Sequence, residues 1–316
     1  MKCLSPIHLN ATKSHPAMDV PCGKCVACLT NRRNEWQIRM IYQTRQFPCC
    51  YFVTLTYTDD TLPVFSSDHY KIWYDHIGYR VDPEISDVIK SKIGKPCFSI
   101  PDVQKFIKRL RKSLAKVSLS YFCTAEYGEN FHRPHYHFII WVDSHMDWSS
   151  FKDLVGRSWF SGGEPLGRVS VEAPRSLSAV ASYCCKYLLS LAADDYTHYP
   201  KQLRPFNLCS RRPAIGFGAL SSDLYEYYEA SKDNESYPAL SSDLRRYPFP
   251  RAFRRKFTAE GTSDLHLYVQ RQKEDADSYF SKYGSYDLTH DETYKSLLKR
   301  QKTDIFLSRV KKLNKI

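Results

Sequence analysis

The sequence contains no run of about 18 apolar residues, the shortest stretch that predicts a membrane-spanning helix. Residues 1–16 include no apolar core of the kind that defines a secretory signal. A GxxxxGK(S/T) motif is also missing, so no P-loop ATPase or helicase activity is expected. These absences argue against a membrane protein, an exported protein and a self-contained helicase.

Cysteine usage argues against a disulfide framework. The eleven cysteines are an odd number, and two pairs, Cys49–Cys50 and Cys184–Cys185, are adjacent in sequence. Secreted domains that depend on disulfides usually carry an even, spaced set. We therefore expect reduced thiols and a cytosolic environment.

The charge balance is strongly basic. The 316 residues include 46 Lys and Arg against 34 Asp and Glu, which gives a net charge of +12 and an isoelectric point near 9.1. A basic surface favours an anionic partner, most simply nucleic acid, and the 23 tyrosines supply rings on which bases could stack. The 42% hydrophobic and 25% charged content is ordinary for one large or two modest globular domains.

The stretch EYGENFHRPHYHFIIW holds the first candidate site. His135 and His137 alternate on a predicted strand, 135–142, and so point to the same face. An apolar run at 119–125 and the polar link after it predict a hairpin that brings Glu126 beside His135. Two imidazoles and a carboxylate could hold a divalent metal with positions open for water or a phosphate oxygen. The alternative is a pair of half-buried histidines without a ligand.

A second candidate site is the cysteine-rich motif PCGKCVAC near the start of the chain. Its three thiols lack only a fourth ligand for the tetrahedral geometry of structural zinc. The three thiols are Cys22, Cys25 and Cys28, and the candidates for the fourth ligand are Cys3, His8 and His15. The alternative is a group of buried free thiols.

Apolar periodicity predicts several further elements. The expected helices cover 30–45, 102–116, 147–159 and 176–192, with Thr30 or Asn31 and Asp147 as N-caps. Strands are expected at 50–57 and 168–172, and an insertion with local structure at about 59–100. The hexapeptide ALSSDL occurs at 219–224 and at 239–244, where its Ser and Asp suit a helix start.

The motif YCCKY lies on the last of these helices. Tyr183 and Tyr187 are four residues apart and therefore one helical turn apart on the same side, with Lys186 nearby. Two phenols beside an amine can act as nucleophiles. Taken without its context, the pair also fits packing at the edge of a core.

Basic residues gather again in the last third of the chain. The loop 210–218 and the aromatic segment 247–257 could follow a phosphate backbone. The candidate DNA contacts in these segments are Arg211, Arg212, Arg251, Arg254 and Arg255.

Together, the motifs FVTLTY (52–57), HYH (135–137) and YCCKY resemble, in order and rough spacing, the three motifs of the HUH endonucleases. These enzymes initiate rolling-circle replication. The two-tyrosine form, combined with the cysteine motif, resembles the replication initiators of microviruses and most closely their gokushovirus-like branch.

The resemblance implies an α+β fold, with a central antiparallel sheet, helices packed on one side, and the histidine strand at the centre (an HUH/RRM-like palm). We expect a Cys-rich segment with a basic helix at 1–48. The nicking domain is expected at 49–200, with the insertion at 59–100, and a mainly helical, basic and aromatic extension at 201–316.

The resemblance also implies a chemistry. Mg²⁺ or Mn²⁺ would be held by His135, His137 and Glu126, with His132 as a lesser candidate. Tyr183 and Tyr187 would form 5′-phosphotyrosine bonds in turn, assisted by Lys186, and the second tyrosine has Ser190 where Tyr183 has this lysine.

The implied partners are single-stranded origin DNA and a host helicase and DNA polymerase, all in the cytoplasm of the bacterial host. Two alternatives remain open from sequence. One is an HUH relaxase or transposase, and the other is a non-catalytic, zinc-dependent DNA-binding protein.

Overall fold

The computed structural model describes residues 3–12, 16–174, 198–220, 224, 239–242, 245–248 and 250–253. By its internal contacts the chain divides into two units, 1–251 and 252–316. The elements below all belong to the first unit.

Five complete α-helices and eleven strands are found in the described residues of this unit. The helices are α1 (Val26–Gln46), α2 (Ser67–His76), α3 (Pro83–Lys90), α4 (Ile100–Ser113) and α5 (Trp148–Ser158). The strands are β1 (Ile7–Leu9), β2 (Met18–Val20), β3 (Cys49–Leu55), β4 (Leu119–Tyr127), β5 (Pro134–Val142), β6 (Phe160–Ser161), β7 (Glu164–Pro165), β8 (Val169–Glu172), β9 (Phe206–Cys209), β10 (Ala239–Ser242) and β11 (Arg245–Pro248).

A five-stranded antiparallel sheet organises the fold, in the order β8–β3–β5–β4–β9. The expectation of an antiparallel sheet with the histidine strand at its centre is confirmed. β4 and β5 form the predicted hairpin, and its register sets Glu126 directly opposite His135. Because opposite residues of an antiparallel pair share a face, the carboxylate and both imidazoles lie on the same side of the sheet.

One face of the sheet is covered by α4 and α5. The apolar stripe of α4, which includes Phe106 and Leu110, is fully buried against the strand residues Tyr136 and Phe138. Ser99 caps α4 by accepting a hydrogen bond from the Asp102 amide, 3.4 Å away. In α5 the predicted cap is confirmed, since the Asp147 carboxylate accepts from the Ser150 amide at 2.9 Å.

The expectation that helices lie on one side only is wrong, because α1 packs on the opposite face. Its residues Trp36 and Met40 contact Phe122, Ile139 and Trp141, and the Trp141 ring donates to Thr44 Oγ1 at 2.7 Å. The cause can be seen in β5, where the run FIIWV places apolar side chains on both faces, so both need cover.

Helix α1 begins at Val26, not at Thr30 as the capping pattern suggested. Its N-cap is Cys25, which has extended backbone angles and makes no side-chain capping bond. The cysteine motif therefore runs directly into the helix, and Cys28 lies in the first helical turn. Convergence of the thiols has overridden the local preference for Thr or Asn at a cap.

The insertion at 59–100 carries α2 and α3 and a small core of its own. Phe65, Trp73 and Ile89 are buried in this cluster. Ser66 caps α2 through a reciprocal pair of bonds with His69, and Asp82 caps α3.

The described part of the C-terminal extension contains strands. β9 joins the central sheet beside β4, and the second ALSSDL segment begins as β10, paired with β11, so the helix start predicted there is wrong. Four residues that pair with a neighbouring strand form a ladder in preference to a capped turn. The helix predicted at 176–192 and most of the extension lie outside the described residues.

Gly167 is required where β8 approaches the end of β3. A Cβ at this position would lie in hard contact with the Thr56 carbonyl oxygen and 2.7 Å from Tyr57 Cα. Gly167→Ala should therefore push β8 off the sheet and lower the melting temperature, which differential scanning calorimetry can measure. Gly156→Ala on α5 is the matched control, since an added Cβ meets nothing there, and equal melting temperatures in the two variants would contradict this packing argument.

Candidate functional site

The candidate site lies at one end of the face that α1 covers at the other. Along β5 the side chains on this face change from His135 and His137 to Ile139 and Trp141. The two imidazole rings have centroids 6.3 Å apart and planes within 20° of parallel. The structure thus places the two histidines together, as the His-x-His spacing predicted.

Glu126 and His137 form the tightest contact of the site. The Glu126 Oε1 atom lies 2.7 Å from His137 Nε2, and both side chains are largely buried. On the other side of the ring, Thr54 Oγ1 lies 3.0 Å from Nδ1. With both nitrogens engaged, the orientation of this imidazole is fixed.

His135 is held differently. Partial burial lowers its pKa, the nearby His137 acts in the same direction, and Glu126 opposes the shift. The lowered pKa favours the neutral ring, which is the form that binds metals. Gly128 lies against this ring, because a Cβ there would be 2.5 Å from its Cε1 atom.

A row of polar side chains crosses the sheet through His137. Ser170, Thr54, His137, Thr124 and Asn207 occupy aligned positions on the five strands. Thr124 is fully buried, and neither its hydroxyl nor the Asn207 side-chain oxygen has a hydrogen-bond partner among the described residues. Sequence analysis missed this row, although the alternating threonines of FVTLTY were a visible signal.

The donor set fits a divalent ion. Neighbouring ligands of an octahedral ion bound at about 2.1 Å are about 3.0 Å apart, close to the 2.7 Å between Glu126 Oε1 and His137 Nε2. Two imidazoles and one carboxylate are a common set for first-row divalent metals with open positions. His135 lies beside the pair, while His132 is exposed in the hairpin turn with a positive φ of 47°.

A cleft of about 650 Å³ opens beside His135, on the side of β3 and β8. It is lined mainly by hydroxyl and charged side chains. The lining residues are Thr54, Thr56, Tyr57, Thr58, Asp59, Arg133, His135, Arg168, Val169 and Ser170.

The four cysteines of the N-terminal motif converge. The sulfur atoms of Cys3, Cys22, Cys25 and Cys28 all lie within 4.8 Å of one another, close enough for one metal ion. Cys3 is thus the fourth member, in preference to His8, whose ring pairs with Asp19 at 2.8 Å. Backbone amides support the sulfurs, with Cys22 N–H donating to Cys3 Sγ at 3.2 Å and Cys25 N–H to Cys22 Sγ at 3.3 Å.

Other predicted site residues divide into two groups. Arg211, Arg212 and Arg251 are exposed. Tyr183, Lys186, Tyr187, Arg254 and Arg255 lie outside the described residues, as does His15.

Comparison with known proteins gives the family context. The profile of the phage replication-associated protein ORF2 family matches residues 50–191, a range that contains the FVTLTY, HYH and YCCKY motifs. The chain is related to the replication-associated proteins of small phages. The resemblance inferred from its motifs is thereby confirmed.

Two relatives show how far the similarity extends. Replication-associated protein ORF2 of Spiroplasma virus 4 is 26% identical over 279 residues, covering 81% of this chain and 73% of that protein. Replication-associated protein VP4 of Bdellovibrio phage phiMH2K is 25% identical over 243 residues, covering 68% of this chain and 66% of that protein. No solved structure matches the chain significantly, and no helix in the described part is long and apolar enough to cross a membrane.

The contact between Gly128 and His135 can be tested by titration. In Gly128→Ala the new Cβ should displace the ring toward solvent, so the burial that lowers its pKa is reduced and the pKa should rise toward its ordinary value. NMR titration of the histidine ring protons in a chelating buffer measures this. Gly156→Ala should leave the titration unchanged, and an unchanged His135 curve in Gly128→Ala would contradict the packing.

Proposed function

We propose that this protein is the replication initiator of a small single-stranded DNA phage, and that it nicks and rejoins DNA at the origin. The observation that carries the proposal is the Glu126–His137 pair, with His135 alongside, on the central strand and beside an open cleft with two arginines. Relation to phage replication-associated proteins supports the same conclusion.

In this proposal His135, His137 and Glu126 hold Mg²⁺ or Mn²⁺. A divalent ion bound there would polarise the scissile phosphate and offset charge that develops during the displacement. Thr54 keeps the His137 ring in place through its contact with Nδ1. The imidazole content favours Mn²⁺ over Mg²⁺ in vitro, since Mg²⁺ prefers oxygen ligands.

Tyr183 and Tyr187 are the proposed nucleophiles. A tyrosine oxygen attacks the phosphorus, the P–O bond to the 3′ oxygen breaks, and the products are a 5′-phosphotyrosine and a free 3′-hydroxyl. Tyrosine ordinarily has a pKa near 10, so Lys186 is proposed to stabilise the phenolate. The phosphotyrosine conserves the phosphodiester energy, and the second tyrosine can release and close the finished strand without ATP.

The surrounding steps fall to host proteins. A host DNA polymerase would extend the 3′-hydroxyl and a host helicase would open the duplex, because the sequence has no P-loop motif. The proposed setting is the cytoplasm of the bacterial host. Arg211, Arg212, Arg251, Arg254 and Arg255 remain proposed contacts to the DNA backbone.

We also propose that the cysteine quartet binds a structural zinc ion. Tetrahedral zinc with Zn–S bonds of about 2.3 Å places its sulfurs about 3.8 Å apart, and Cys3 Sγ and Cys25 Sγ are separated by 3.8 Å. Amide groups that donate to the sulfurs would stabilise the thiolates. The ion would fix the start of α1, whose N-cap is Cys25.

The nicking proposal is tested with circular single-stranded phage DNA, Mn²⁺ and a denaturing gel that reports covalent protein–DNA adducts. The unaltered protein should form an adduct that maps to Tyr183 or Tyr187. His137→Ala should lower nicking by about 100-fold or more, because a donor to the ion is lost, while DNA affinity stays close to normal. The Tyr183→Phe/Tyr187→Phe double variant should form no adduct.

Two controls accompany this experiment. His145→Ala and Tyr79→Phe change exposed residues outside the site and should nick normally. An adduct that persists in the double tyrosine variant, or full nicking by His137→Ala, would contradict the proposal. DNA binding without any adduct in the unaltered protein would favour the non-catalytic alternative.

For the zinc site, protein purified without added metal should contain about one zinc per chain by elemental analysis. Cys25→Ser should lose the ion and lower folding stability, because structural zinc contributes binding energy on the order of 10 kcal/mol in small domains. Cys209→Ser, a partly buried thiol outside the quartet, should retain the zinc. Zinc-free, fully folded native protein would show that the quartet is a set of free thiols.

A further inference from the structure

The cleft beside His135 contains two arginines, each at the start of a strand that pairs with β3. Arg133 precedes β5, and Arg168 precedes β8. Between them lie the hydroxyls of Thr54, Thr56 and Thr58 at the end of β3. Guanidinium groups and hydroxyls are the donors that proteins use to bind phosphate oxygens.

Arg133 is held rigidly at this position. It donates from Nη2 to the Tyr57 carbonyl at 2.9 Å and from Nη1 to the Asp59 carboxylate. Its side chain is 28% exposed, while that of Asp59 is 90% exposed. The carbonyl bond fixes the arginine from inside, whereas the carboxylate contacts it from the solvent side.

Asp59 is therefore an anion that another anion can replace. An ion pair with so exposed a carboxylate contributes little to stability, because water and salt screen it. A phosphate oxygen can accept the same hydrogen bond with more negative charge. Displacing Asp59 would leave the Tyr57 bond, and so the direction of the guanidinium, in place.

We propose that this cleft binds a backbone phosphate of the single strand next to the scissile phosphate, with Arg133 and Arg168 as its ligands. Asp59 occupies Arg133 in the free protein and gives way to the incoming strand. This inference rests on the proposed function, because it takes the strand that reaches His135 as the occupant.

The test measures binding of a short, fluorescently labelled oligothymidylate to the full-length protein in a chelating buffer, so that no nicking occurs. Asp59→Asn should raise the affinity by about fivefold, the change expected when one exposed ion pair no longer competes. Asp60→Asn is the matched control, since it makes the same change in net charge at the next residue. Its affinity should change by less than about twofold.

The arginines should behave in the opposite way. Arg133→Gln and Arg168→Gln should each weaken binding by about tenfold, the usual size for a lost hydrogen bond to a charged group. Each should also make the slope of log affinity against log salt shallower by about 0.7, the value for one phosphate contact to a single strand. Arg157→Gln, on the exposed side of α5, controls for lost charge alone.

Several results would overturn the inference. Equal gains for Asp59→Asn and Asp60→Asn would mean that only net charge matters. Loss of nicking in Asp59→Asn with unchanged affinity would place Asp59 in the chemistry itself. Full competition by thymidine monophosphate at equal phosphate concentration would indicate a mononucleotide site.

The proposed function can fail separately from this inference. His137→Ala should bind the oligothymidylate as the unaltered protein does, and the Asp59 and arginine effects should be the same in that background. These effects in a protein that never nicks would support the cleft and contradict the enzyme. Nicking that is lost in His137→Ala, without any of the cleft effects, would do the reverse.

Discussion

The register between β4 and β5 is the constraint on which the candidate site depends. It sets Glu126 opposite His135 and Thr124 opposite His137, so that carboxylate, imidazoles and hydroxyl share a face. A slip of one residue would turn every side chain of β5 to the other face and exchange the histidines for Tyr136 and Phe138. The buried aromatic core around Tyr136 and Phe138 makes such a slip very unfavourable. Packing on one face of the sheet thus holds the chemistry on the other.

The histidine face is divided between stability and function. Near Trp141 it is covered by α1 and serves as a second core, and near His135 it opens into the cleft. Helix α1 is fixed by buried polar bonds as well as by its rings. Arg39 donates to the Ile215 carbonyl at 3.1 Å, and Gln43 accepts from the Gly216 amide at 2.6 Å. The same helix begins at the cysteine quartet, so the N-terminal motif and the loop after β9 are both tied to the sheet through it.

Sequence reasoning predicted most of what depends on local periodicity. The alternation of His135 and His137, the hairpin, the amphipathic α4 and the Asp147 cap all follow from spacing and residue type, and all are found. It placed α1 wrongly because an apolar strand run does not say which helix covers which face. It missed β9 and the Thr54 contact because both arise from pairing between distant segments. The start of α1 was mistaken because four thiols, brought together from distant points in the sequence, outweighed a capping preference.

The insertion between β3 and α4 is closed at its neck. The Phe65 amide donates to the Lys95 carbonyl at 2.9 Å, and the Cys97 amide donates to the Pro63 carbonyl at 2.9 Å, so the chain leaves and returns at nearly the same point. Closing a longer loop costs only slightly more entropy than closing a shorter one. The segment inside the neck can therefore gain or lose residues while the sheet beneath it keeps its register. Among relatives this part of the fold is free to diverge in length, and a host-specific function could evolve there without altering the histidine strand.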